Sequence, residues 1–146
     1  MAFTGNYVCN SFLSGALDGD FDFGPGTADI YRLALYTNEA TLNAQTDAYT
    51  TAGEVVASGY TAGGPIIIPT KGIGNTSTSG GTAFVTFANV TVSAALTARG
   101  ALIYNSSKSN KAVAVLDFGS DKTSTGGNFT IQFPANTAAD AIVRIA

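Results

Sequence analysis

GALIY-NSSKSN-KAVAVLDF, residues 100–118, decides the fold. Two apolar runs flank a polar stretch of Asn, Ser and Lys that suits a turn, so the segment reads as a β-hairpin. Downstream, residues 128–133 (NFTIQF) alternate, with Phe129, Ile131 and Phe133 on one face and Thr130 and Gln132 on the other. Residues 82–92 (TAFVTFANVTV) read as one long strand and residues 141–145 (AIVRI) as the last one. Upstream, residues 30–37 (IYRLALYT) carry large apolar side chains at both parities, as a strand covered on both faces does. Residues 54–57 and 60–62 flank Gly59 and read as one kinked strand or two. Ile66, Ile67 and Ile68, fenced by Pro65 and Pro69, read as a short edge strand or loop. The expected fold is mainly β: an antiparallel β-sandwich, jelly-roll or Ig-like, of about seven or eight strands.

The N-terminal part differs. In residues 6–17 (NYVCNSFLSGAL), Val8, Phe12, Leu13 and Ala16 fall at helical spacing, which predicts a short amphipathic helix. DGDFDFGPGTAD (18–29) follows as an irregular acidic loop. The expected organisation is therefore a helix plus acidic arm over 1–29 and a sandwich over 30–146. Residues 71–82 (KGIGNTSTSGGT), poor in side-chain bulk, read as a flexible exposed loop.

Composition narrows the chemistry. The chain has 146 residues, room for one domain, and 12 % of them are charged, about half the roughly 25 % usual in soluble domains. Histidine is absent, which excludes Ser-His-Asp and Cys-His nucleophile pairs, imidazole bases and His-ligated zinc or haem. With Cys9 alone no intrachain disulfide forms, so stability has to come from packing or from neighbouring chains, and a homo-oligomer is expected. Cys9 itself, on an apolar helix face, reads as a buried small hydrophobe.

The net charge is −3 and the pI about 4.5. Seven bases are scattered along the chain with no aromatic-plus-basic stripe, so nucleic acid is not an expected partner. Residues 1–60 hold seven acids against Arg32 alone, whereas residues 61–146 hold six bases against three acids. Either the two halves interleave and the asymmetry cancels in space, or an acidic N-terminal segment meets a basic face on the next copy. The first base is Arg32 and no apolar run approaches the roughly 18 residues of a membrane span, so neither export nor a membrane partner is expected.

Asp18, Asp20, Asp22 and Asp29 are spaced like ligands one, three, five and twelve of a calcium loop. The sixth place, which should be glycine, is Phe23; Pro25 interrupts; and the twelfth is Asp where a bidentate Glu belongs. The expectation is a solvated acidic loop, with no metal and no cofactor. Asp117 and Asp121 with Glu39 or Glu54 could supply glycosidase-like carboxylate pairs, but any acidic β-protein offers such pairs. The glycine-rich residues 72–81 lack the Lys and following helix of a phosphate loop. No catalytic residue is expected.

Four stretches together resemble a known family: CNSFLSGAL (9–17), LALYTNEATLNAQTDAYTTAGEVVASGYTAGG (33–64), TARGALIYNSSKSNKAVAVLDFGSDKTSTGGNFTIQFP (97–134) and the closing AIVRIA. In this order they resemble small proteins encoded among the virion structural genes of tailed bacteriophages. The acidic loop is longer than that family's, and Val90-Thr91-Val92 stands where it often carries a tryptophan shortly before TARG. The resemblance implies a non-enzymatic virion protein made in the host cytoplasm, with the major capsid protein or other virion proteins as partners. A capsid decoration or cement protein is the leading expectation. A tail or head-to-tail connector ring component and a glycan-binding host-attachment module are the alternatives.

Overall fold

The computed structural model describes residues 3–24, 29–71, 82–135, 137 and 139–145. In chain order these form β1 (Tyr7–Val8), α1 (Asn10–Asp18), β2 (Tyr31–Tyr36), β3 (Ile66–Ile67), β4 (Pro69–Lys71), β5 (Ala83–Phe87), β6 (Val90–Val92), β7 (Thr97–Asn105), β8 (Lys111–Thr123), β9 (Phe129–Ile131) and β10 (Val143–Ile145). A five-stranded sheet runs β1-β8-β7-β2-β3, a three-stranded sheet β10-β5-β4 and a two-stranded sheet β6-β9, every pairing antiparallel. The chain is thus mainly β, an antiparallel sandwich with one short helix.

The predicted hairpin is the centre of the fold, longer than its apolar runs suggest. β7 pairs with β8 from Thr97↔Thr123 to Asn105↔Lys111, and β2 lies on the other side of β7. Both faces of this sheet are buried. Tyr31, Leu33, Leu35 and Ile103 enter one apolar cluster with Val85, Phe87, Val92, Phe129, Ile131 and Val143 from the two smaller sheets. Ala34, Tyr36, Leu102 and Tyr104 enter a second cluster with Phe3, Cys9, Ala40 and Leu42. The apolar side chains at both parities of residues 30–37 follow from this two-sided covering.

Several sequence expectations are corrected. Residues 82–92 are two strands, not one: the chain leaves the three-stranded sheet after Phe87 and joins the two-stranded sheet at Val90. Asn89 marks the switch, its side-chain oxygen accepting from the Phe133 amide at 2.7 Å. The helix begins at Asn10 rather than Asn6, because Tyr7 and Val8 pair with Val115 and Ala114 and the Cys9 amide donates to Val113 O at 2.9 Å. It ends in a Schellman turn: Gly19, at φ 81°, donates to Ala16 O, and the Asp20 amide donates to Gly15 O. Residues 54–62 form no strand beyond a single bridge between Tyr36 and Glu54. Most of the flexible loop expected over 71–82, namely 72–81, lies outside the described residues, as do 25–28 of the acidic loop.

Residues 3–24 are built into the body. Phe12 is buried, and Phe21 and Phe23 fold back beside it, Phe12 and Phe21 with ring centroids 4.9 Å apart and Phe23 stacked on Tyr31 at 4.7 Å. Among the described residues no helix is long and apolar enough to cross a membrane.

Candidate functional site

The densest polar constellation lies in the long connection from β2 to β3, residues 37–65. The outer edge of β2 beyond Arg32 is satisfied by this connection instead of by a strand. Leu33 N–H donates to Pro65 O, Leu35 N–H to the Tyr60 hydroxyl at 2.9 Å, and Thr37 N–H to Gly53 O, while the Val55 amide donates to Leu35 O. That explains why residues 54–62 carry strand-like side chains without forming a strand: a phenol oxygen and turn carbonyls accept the bonds a ladder would take.

Glu54 is at the heart of this arrangement, only 8 % exposed. Its Oε1 accepts from the Tyr60 hydroxyl and the Gly63 amide, and its Oε2 from the Tyr49 hydroxyl, each at 2.7 Å. No cation lies within ion-pairing distance of it among the described residues. Three charge-assisted hydrogen bonds therefore compensate its desolvation. The phenols respond: burial first, then the Glu54 carboxylate, hold Tyr49 well above the ordinary tyrosine range, and burial does the same for Tyr60 and Tyr36. Tyr104 stacks on Tyr49 at 4.8 Å and donates to Gly63 O at 2.7 Å. Chemically the cluster is a latch, a buried side chain whose two acceptor oxygens fasten the connection onto the main sheet. In the sequence Glu54 stands out only as half of a carboxylate pair; the signal for its role is one acid set among three tyrosines, at 49, 60 and 36.

Asp18, Asp20, Asp22 and Asp29, spaced like calcium ligands in the sequence, do not converge. Asp18 closes α1 exposed to solvent. Asp20 forms an ion pair with Lys111, a hydrogen bond that holds its carboxyl below the usual range. Asp22 accepts from the Gly24 amide at 2.7 Å, and Asp29 from the Asp22 amide and Asn105 Nδ2, both at 3.0 Å. Among the described residues no three His, Cys, Asp or Glu side chains come together as a metal group would require. The Asp20–Lys111 pair also joins an acid of the first half to a base of the second half within one chain.

The other candidates are dispersed. Asp117 bonds Arg99 Nε at 3.2 Å, Asp121 accepts from Asn38 Nδ2 at 3.4 Å, and Glu39 is exposed on the surface. Cys9 is fully buried, and burial, reinforced by the Asp47 carboxylate, pushes its thiol up to about 12. It is a packed small side chain and not a thiolate nucleophile.

Large apolar side chains nevertheless reach solvent. Leu17 is 91 % exposed and, with Leu13, lies on the outward face of α1; Ile66 and Ile68 are 49 % and 60 % exposed beside β3. No protein-family model, curated protein or solved structure matches the chain.

Proposed function

We propose that the chain is a structural protein of a tailed-bacteriophage virion: a capsid decoration protein that binds the outside of the head and bridges neighbouring major capsid subunits, alongside further copies of itself. The observation that carries the reading is the placement of its exposed apolar side chains. Leu13 and Leu17 sit on α1, which packs on β8 towards one side of the main sheet, and Ile66 and Ile68 sit at the β3 edge on the other. A module with apolar contact points on two flanks can bury surface against two neighbours at once, and repetition over a lattice turns modest contacts into a closed network. The sandwich between them is covered on both faces of its main sheet, and Glu54, Asp20 and Asp117 are engaged in holding it together. Resemblance of residues 9–17, 33–64 and 97–134 to small virion proteins supports the same reading.

The test is stoichiometry. Quantified against the major capsid protein in purified particles, this chain is expected at hundreds of copies per head; on the order of six or twelve copies would instead place it in a ring at the tail or connector and overturn the decoration role.

A further inference from the structure

Arg32 is the sole base in residues 1–60, and it sits half-buried on β2, between Tyr104 on one neighbouring strand and Ile66 on the other. A guanidinium carries five N–H donors. Among the described residues one bond is made, from NH1 to Gly64 O at 2.9 Å, and no carboxylate lies within ion-pairing distance. Arg99 and Lys111, by contrast, each hold an aspartate. A half-buried cation without a counter-charge is costly to fold around, so its donors call for an anion from outside.

The surroundings say what carries that anion. Arg32 lines a cleft of about 430 Å³ together with Tyr60, Thr61, Ile66, Thr91 and Ser93. The cleft borders β3, the last strand of the main sheet on this side. Since Pro65 O takes the Leu33 amide, alternation along the strand turns the N–H and C=O of Ile66 away from β2, towards the open edge. Main-chain donors and acceptors at a free sheet edge recruit an extended segment. The spacing fits: a strand added beside β3 lies two strand separations, about 10 Å, from β2, within the combined reach of an arginine and a glutamate side chain.

We propose that this cleft seats an extended, carboxylate-bearing segment of a partner polypeptide, its backbone pairing at Ile66 and its carboxylate taking the unused N–H groups of Arg32. This rests on the decoration reading only for the origin of the segment, a neighbouring shell subunit. The Glu54 carboxylate lies behind the same region but is saturated by Tyr49, Tyr60 and Gly63, so the guanidinium is the group left to be answered.

The test is an NMR titration of the intact chain with acetyl-Thr-Val-Glu-Val-Thr-amide, its Gln-for-Glu counterpart, and N-acetylglutamate amide as a single-residue anion. The Glu peptide should saturably shift the Arg32 Nε–H and the Ile66 amide, with the Gln peptide at least about tenfold weaker and the single residue weaker still. Arg32→Lys, which keeps the charge but loses the fork, should reduce Glu-peptide affinity several-fold. Equal binding of the Glu and Gln peptides overturns the carboxylate role, and equal binding of peptide and single residue overturns the strand-pairing role. Peptide binding by a chain absent from particles would instead sink the decoration reading and leave this seat intact.

Discussion

Replacing Glu54 separates a latch made of hydrogen-bond acceptors from one made of charge. Glu54→Ala strips the acceptor from the buried Gly63 amide and from the half-buried Tyr60 and Tyr49 hydroxyls. Each buried donor left without a partner costs about 1–3 kcal/mol. Tyr49 can turn to water, so the loss falls at about 3–5 kcal/mol, the range found when a buried charged partner is removed. At about 2.1 cal/mol/K of unfolding entropy per residue, 146 residues give about 0.3 kcal/mol/K, so Tm should drop by about 10–15 °C. Glu54→Gln keeps an amide oxygen for Tyr60 and Gly63, and its NH₂ can donate to a rotated Tyr49 hydroxyl. Only charge assistance is lost, about 1 kcal/mol, or about 3 °C. Thermal melts followed by circular dichroism decide the matter. An alanine variant melting within 3 °C of the parent, or a glutamine variant as damaged as the alanine one, would refute the latch.

Other expectations follow from the packing. Gly64 has φ 74°, and a Cβ built there would sit 1.7 Å from Leu33 O, so Gly64→Ala should cost more than about 3 kcal/mol; Gly119→Ala, at φ 81° but in open space, should cost about 1. Chemical denaturation of the two variants side by side checks the contrast. Phe12→Ala should cost about 3–5 kcal/mol, since the ring is buried against Phe21 and Phe23; a loss under about 1 kcal/mol in urea titration would mean that the N-terminal segment is not part of the core. Tyr31, Tyr36, Tyr49 and Tyr60 all hold their protons in the folded state beyond the ordinary tyrosine pKa of about 10. Stability should therefore be intact below about pH 10 and fall as pH rises above it, by about 1.4 kcal/mol per pH unit for each tyrosine still protonated. Tyrosinate from these four should appear together with unfolding; ionisation of more than two of the chain's six tyrosines at about pH 10 in a still-folded protein would contradict this.

How much the sequence reveals depends on whether a signal is local. Residues 100–118 form a hairpin because both halves of the pattern, apolar runs and polar turn, lie within a few residues of each other. Residues 82–92 carry β-forming side chains on both sides of Ala88 and Asn89, so composition cannot mark where the chain changes sheets. In residues 54–62 the deciding feature is long-range: the Leu35 amide is capped by the Tyr60 phenol, 25 residues away, while Gly59 turns the chain at positive φ. The acidic arm is the most instructive case. Aspartates two apart at 20 and 22 mimic calcium ligands, yet the same period of two places Phe21 and Phe23 on the opposite side, where they pack on Phe12 and Tyr31. A packing pattern and a ligand pattern coincide there, and only the position of Phe12 distinguishes them. The Glu54 latch left little trace, because its donors come from a connection whose path is set by the sheet it covers.

The proposed decoration role, tying neighbouring shell subunits together, is measured directly by the temperature at which heads release their DNA. Particles lacking the chain should release at a lower temperature than complete ones and recover when the purified chain is added back. Identical release temperatures with and without it would contradict the account.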